Sequence, residues 1–245
     1  MKQFYFIFLA LSTFTLQINA QDIIKTNSGN ITIQPIVHGT LVLTFNNKTI
    51  YIDPYGGAEG FDAIAKPDII LITDIHGDHL NMKTLDGIDT KNAQFIVPQA
   101  VADKMPEKYK KQLTILNNGQ SIHRLGFYIS AIPMYNLPEN EDSRHTKGRG
   151  NGYIINIGGK NIYISGDTED IPEMRVLQDI DVAFICMNLP YTMDIYQASS
   201  AVLEFKPKIV YPFHYRGADV EEFKKIVNDG DSNIEVRLRE WYPKK

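Results

Sequence analysis

The chain has one cysteine and one tryptophan in 245 residues, no excess of positive charge, and no apolar run long enough to cross a bilayer. Each shortage narrows the field. A lone Cys186 cannot close an internal disulfide, so the fold is held by packing and not by cross-links. It ends the apolar run Val182-Ala183-Phe184-Ile185-Cys186, with nothing nearby in sequence to depress its pKa, and reads as a buried structural thiol. A formal charge of −4 argues against a general nucleic-acid binder, which carries a basic excess. The apolar stretch Phe4 to Leu11 gives way to Ser12, Thr13, Thr15, Gln17 and Asn19, well short of the roughly 20 residues a spanning helix needs.

That stretch fits another purpose. Lys2 precedes it and Ile18-Asn19-Ala20 follows, the order of charge, apolar core and small residue found in secretory leaders. Residues 1–20 are therefore expected to be a signal peptide cut after Ala20, and the mature protein to be periplasmic or secreted. No cysteine lies near the cut, so no lipid attachment and no stable membrane anchor is expected. Residues 21–245 suffice for one substantial core and fall short of two domains.

Short β-rich runs dominate the first half of the mature chain: Ile31-Thr32-Ile33, Leu41-Val42-Leu43 and, after the turn Asn46-Asn47-Lys48, Ile50-Tyr51-Ile52. Ile69-Ile70-Leu71-Ile72 is continuously apolar and predicts a strand covered on both faces. Met193 to Phe205 sets Ile195, Ala198, Val202 and Phe205 on one helical side, with Pro207 ending it. Val220, Phe223, Ile226 and Val227 repeat that spacing, with Gly230 as a stop. Residues 44–53 and 156–167 echo each other as strand, turn with Lys, strand and Asp. Lys66-Pro67-Asp68-Ile69-Ile70 and Lys206-Pro207-Lys208-Ile209-Val210 form a second echo. Both suggest two related β-rich halves, although hairpins with such turns are common. Residues 138–152, polar and rich in glycine, read as a long functional loop.

The segment Thr73-Asp74-Ile75-His76-Gly77-Asp78-His79 carries the chemistry. It packs Asp74, His76, Asp78 and His79 into six residues directly after an apolar strand. Imidazoles and carboxylates so crowded need a compensating cation, and a loop at a strand end lets several side chains converge on it. A helix there is disfavoured, since Gly77 is a poor helix former and Asp74 and Asp78 would be like charges one turn apart. His145, Asp167 and His214 are read as further ligands, each placed where a strand meets a loop. Seven nitrogen and oxygen ligands suit zinc or a related first-row metal, as one ion or as two sharing a carboxylate. His38 and His123 stand outside this set and are read as surface or hydrogen-bonded residues.

In this order the residues resemble the metallo-β-lactamase superfamily, and within it the metal-dependent hydrolases related to ascorbate-phosphate lactonases and N-acyl-phosphatidylethanolamine phospholipase D. The family pattern His-x-His-x-Asp-His, a distant His, a bridging Asp and a final His falls on Asp74, His76, Asp78, His79, His145, Asp167 and His214. The resemblance implies an α/β architecture, an αββα four-layer sandwich of two packed sheets with helices outside and the site at one edge. It implies that Asp74, His76 and His145 hold a first metal, and that Asp78, His79 and His214 hold a second, with Asp167 between them. Asp78 would also orient the water nucleophile as the catalytic residue. The departure is Asp74, where the family has His. A carboxylate is a harder ligand, which brings Mn2+ or Fe into competition with Zn2+ and leaves open whether the first site is occupied.

A metal-dependent hydrolase is thus expected, cleaving an ester, lactone, amide or phosphodiester bond in a small molecule. Arg144, Lys147, Arg149 and Arg216 flank the ligands and would favour an anionic substrate. The alternatives at this level are an exported phosphodiesterase or phospholipase and a non-catalytic metal-binding module with a decayed first site. A nuclease is disfavoured by export and acidic balance.

Overall fold

In a computed structural model of the chain, residues 21–243 are described; the expected signal peptide lies outside them. The first half contributes β1 (Asp22–Thr26), β2 (Gly29–Val37), β3 (Thr40–Phe45), β4 (Lys48–Ile52), β5 (Ile69–Leu71), β6 (Gln94–Val97) and β7 (Leu113–Ile115), joined in that order into one seven-stranded sheet. Alternation along these strands feeds two cores at once. Leu41, Leu43, Ile50, Ile52, Ile69 and Leu71 enter one apolar cluster, while Val42, Tyr51, Ile70 and Ile72 enter another. Period-two side-chain direction places the two sets on opposite faces, so the sheet is covered on both sides, as the run Ile69 to Ile72 predicts. Short helices α1 (Met82–Gly87) and α2 (Gln99–Lys104) add Leu85, Val101 and Ala102 to the second cluster.

The second half repeats the plan. The second sheet contains β8 (Ser121–Arg124), β9 (Phe127–Met134), β10 (Gly150–Ile157), β11 (Lys160–Ile164), β12 (Val182–Cys186), β13 (Ile209–Phe213) and β14 (Glu235–Val236). The helices of this half are α3 (Pro172–Arg175), α4 (Ile195–Phe205) and α5 (Val220–Gly230). In each sheet antiparallel hairpins come first and parallel strands follow, with β4 beside β5 in one and β11 beside β12 in the other. Asp68, one residue before β5, accepts from Lys48 Nζ at 2.8 Å and from the Thr49 amide at 2.9 Å. Asp181, one residue before β12, accepts from Lys160 Nζ and the Asn161 amide, both at 3.0 Å. The first echo in the sequence is therefore a structural equivalence. The second is not: Lys66-Pro67 leads into the first parallel strand of its half, whereas Lys206-Pro207 leads into the second.

Helix α4 has Asp194 as its N-cap in a capping box with Gln197, and Lys206 ends it in a left-handed conformation. Helix α5 is capped by Asp219 and ends at Gly230. The Tyr163 ring of β11 meets Phe205 of α4 edge-on. On the inner side, the Tyr153 hydroxyl donates to the Ile72 carbonyl at 2.9 Å and the Tyr211 hydroxyl to Asp22 at 3.0 Å, joining the sheets. Two seven-stranded sheets with helices outside form the expected αββα sandwich. Cys186 is fully buried, and desolvation pushes its thiol up to about 11, as suits a packing residue. No helix among the described residues is long and apolar enough to cross a membrane.

Candidate metal centre

The parallel strands end at one edge of the sandwich, and every predicted ligand arrives there by a loop. The segment after β5 carries Asp74, His76, Asp78 and His79, and turns on hydrogen bonds from the His79 and Leu80 amides to the His76 carbonyl. Asp167 follows β11, and His214 directly follows β13. His145 is placed differently from expectation. It lies within the loop between β9 and β10, five residues ahead of Gly150, and that loop ends at Arg149 because β10 has already begun.

All seven side chains converge. Ligand-capable atoms of Asp74, His76 and His145 lie within 4.8 Å of one another, and so do those of His79, Asp167 and His214. Asp167 sits between the two groups: Oδ2 is 3.2 Å from His79 Nε2 and 3.3 Å from His145 Nε2, and Oδ1 is 3.4 Å from His214 Nε2. Asp78 closes the second group, with Oδ2 3.5 Å from His214 Nε2 and Oδ1 4.0 Å from His79 Nε2.

Hydrogen bonds on the far side of the rings decide which nitrogens face inward. His79 Nδ1 donates to Asp53 Oδ2 at 2.8 Å, and Asp53 is itself held by the Thr73 amide and hydroxyl at 2.8 and 2.6 Å. His145 Nδ1 donates to Asn136 Oδ1 at 3.1 Å. The Asn188 side-chain amide reaches His214 Nδ1 at 3.3 Å. His76 Nδ1, His79 Nε2, His145 Nε2, Asp167 Oδ1 and His214 Nε2 are buried and make no well-aligned hydrogen bond, although each lies beside an opposite charge, with His76 Nδ1 2.5 Å from Asp74 Oδ2. Five such atoms turned on a common space are costly unless a cation takes their lone pairs. The donor set fits a metal, and the outer hydrogen bonds of His79 and His145 are those that orient imidazole ligands.

Charge follows from this crowding. Burial works to raise the Asp167 carboxyl, but His214 and His79 hold it well below the usual range. Burial likewise opposes ionisation of Asp78, and His214 and His38 overcome it, holding that carboxyl far down. His79 shows the converse: desolvation lowers it, yet Asp167 and Asp53 carry it well above the ordinary imidazole value. Asp74, raised by burial but lowered more by His76, His79 and Arg149, settles at about 2.

Three residues joined the site without being read as part of it. His38 is hydrogen-bonded, as expected, but to the centre: Nε2 lies 3.0 Å from Asp78 Oδ2 and Nδ1 lies 2.7 Å from the Tyr242 hydroxyl. With Asp78 and His214 it makes a third group of ligand-capable side chains. Asp53, the Asp that closes the first echo at residues 44–53, is the partner of His79. Asn136 is the partner of His145. His38, Asp53 and His214 all have left-handed backbone, at φ 59°, 44° and 47°. Non-glycine residues seldom hold that conformation, and such strain gathers at functional sites. Gly39 completes the fit, since a Cβ there would stand 3.0 Å from His214 Cδ2. His123 is exposed on β8, away from the centre.

The flanking cations divide. Lys147 is occupied by Glu139 at 2.8 Å and Glu173 at 3.2 Å, and Arg149 pairs with Asp74. Arg144 stacks over Tyr191, and neither it nor Arg216 has a carboxylate partner among the described residues.

The profile of the family described as the β-lactamase superfamily domain matches residues 32–214. A metal-dependent hydrolase of Pyrococcus abyssi, of the group UPF0173, is 32% identical over 200 residues, covering 75% of this chain and 86% of the relative. A Parabacteroides distasonis crystal structure, described as that of a candidate metal-dependent hydrolase, is 39% identical with a TM-score of 0.83; the match covers 91% of this chain and 100% of that one. Igni18, a metallo hydrolase from Ignicoccus hospitalis, is 27% identical with a TM-score of 0.72, over 86% of this chain and 95% of its own.

Proposed function

Because the chain belongs to the metallo-β-lactamase superfamily and is a metal-dependent hydrolase, we propose that it cleaves an ester, lactone, amide or phosphodiester bond in a small molecule at the His–Asp centre. The observation that carries this is the set of five buried nitrogen and oxygen atoms on one space, none in a well-aligned hydrogen bond. A bound ion supplies the chemistry of lowering the pKa of water from 15.7 to about 7, making a nucleophile at neutral pH. Zn2+ suits the mixed imidazole and carboxylate donors of both groups; Mn2+ or Fe gains ground at Asp74.

The chain's own groups do the rest. His79, His214, Asp167 and Asp78 would hold the ion of the second group, and His76 and His145 would face one in the first. Asp78 remains partly open, at 32% side-chain exposure, and its carboxylate is aimed by His38. It is thereby placed to orient the attacking water by accepting a hydrogen bond from it. Substrate enters from the open side near His76 and Asp78, the two ligands of the motif with appreciable exposure.

The unpaired Arg144 and Arg216 favour an anionic substrate, and with it a phosphodiester reading. Zinc-loaded protein would be assayed side by side on a γ-lactone and on bis(p-nitrophenyl) phosphate, then after chelation. Turnover of one or both that vanishes with the metal and with a double His76→Ala, His79→Ala exchange is the expected result. Metal-independent turnover, or none on a broad ester, lactone, amide and phosphodiester panel, sinks the reading. The leader-like residues 1–20 support an exported enzyme, periplasmic or secreted, tested by whether the protein from its native host begins at Gln21.

A further inference from the structure

Two carboxylates of the centre are absent from the set of atoms without a well-aligned hydrogen bond: Asp78, engaged by His38, and Asp74. Asp74 Oδ2 lies 2.5 Å from His76 Nδ1, and its other partner is a full positive charge. Arg149 Nε lies 3.2 Å from Oδ1 and Nη2 lies 3.2 Å from Oδ2, a two-pronged pair on a carboxylate with 0% side-chain exposure. The fold builds this contact deliberately into the junction of the sheets. The Asn151 amide donates to the Thr73 carbonyl at 2.9 Å, and a Cβ on Gly150 would stand 2.8 Å from that same oxygen. Only glycine lets the start of β10 press so close, and the approach delivers Arg149 to the residue after Thr73.

We infer that Arg149 is the resident cation of the first pocket: it takes up the charge of Asp74 and holds that pocket's affinity for a metal far below the second's. This rests on the reading of the second pocket as a metal site. Charge bookkeeping sets the sign. In the first pocket the Asp74 charge is cancelled by Arg149. In the second, Asp78 and the shared Asp167, whose Oδ2 also lies 3.3 Å from His145 Nε2, have no lysine or arginine within 4 Å among the described residues. A dication beside His76 and His145 would meet the guanidinium across a single carboxylate, and like charges so close repel strongly even at an effective dielectric of about 20. Pulling Asp74 away instead would strand a buried charge. The ion-and-arginine centre is therefore asymmetric where an all-histidine first pocket would not be. The Arg149 side chain keeps 19% exposure, so the same positive charge also looks onto the cleft.

The test is metal stoichiometry, read on the full chain without reference to activity. Metal-stripped protein is titrated with Zn2+, and retained zinc is counted by elemental analysis after gel filtration. The wild type is expected to retain one ion, with a second equivalent at least about a hundredfold weaker. Arg149→Leu is expected to retain two, with affinities within about tenfold, and Arg149→Lys to retain one. Since Arg149→Leu leaves Asp74 unpaired, its folding is checked by circular dichroism. The double Asp74→His, Arg149→Leu exchange removes both charges and is expected to bind two ions in any case. Two ions of like affinity in the wild type, or no gain in either leucine variant, overturns the inference and leaves the metal-hydrolase reading intact. No zinc at all in the wild type overturns both.

Discussion

Asp53 Oδ2 stands 2.8 Å from His79 Nδ1, and this contact turns His79 Nε2 toward the shared space of the centre. The same carboxylate accepts from both the amide and the hydroxyl of Thr73. Asp53→Ala should therefore act twice. Zinc affinity should fall about 10- to 100-fold, the usual effect of losing the partner that orients a histidine ligand. Thermal stability of the metal-free protein should fall as well, by about 1–3 kcal/mol for stranded buried donors. A folded variant with unchanged zinc affinity would refute the orienting role.

Tyr242 acts one step further out. Its hydroxyl meets His38 Nδ1 at 2.7 Å and accepts from the Arg216 amide at 2.9 Å, while the other face of His38 aims Asp78. Tyr242→Phe should leave zinc stoichiometry unchanged and lower kcat about fivefold, the effect of one hydrogen bond of about 1 kcal/mol. If instead zinc is lost, Tyr242 supports the ligand set and not Asp78 alone.

Zinc uptake should release protons. In the ion-free protein Asp167 and Asp53 hold His79 above its ordinary value, so the ring is protonated at neutral pH and an ion must displace that proton. Apparent affinity should rise with pH, roughly tenfold per unit for one displaced proton. The ion-free fold carries matching signs. The stabilisation from His79 is complete below about 6.5 and is lost as pH rises through the raised value; that from Asp78 and Asp167 is present above about 4 and is lost as pH falls. Calorimetry in buffers of differing ionisation heat measures the release directly; a buffer-independent heat contradicts it.

Asp194 accepts from the Gln197 amide at 2.7 Å at the start of α4. Asp194→Ala should cost about 1 kcal/mol. At this chain length that is a Tm drop of about 2–4 °C. Zinc content should not change. A drop in zinc content would mean that α4 steers the centre.

Much of this was legible in the sequence because the signals were contiguous. Four candidate ligands within six residues after an apolar strand stand out from an ordinary surface loop, and the strand-end Asp167 and His214 carried the same context. Apolar spacing and the stops Pro207 and Gly230 put α4 and α5 within two residues of their observed limits. His38 and Asp53 were obscure for the opposite reason. Each is a lone polar residue at a strand end, and its role depends on partners 40 and 26 positions away. The His214 amide donates to the His38 carbonyl at 3.0 Å, a contact no local pattern announces. Arg149 was visible as a flanking charge, but its pairing with Asp74 exists only because two sheets meet at Thr73 and Asn151.

The matched plan of the two halves leaves the ligands shared across a seam. Asp74, His76, Asp78 and His79 belong to the first sheet's loops; His145, Asp167 and His214 belong to the second's. An ion in that seam would work like a rivet: its donors come from both halves, and loosening either plate would weaken the hold on it. Metal content then becomes a gauge of whether both halves are folded and docked.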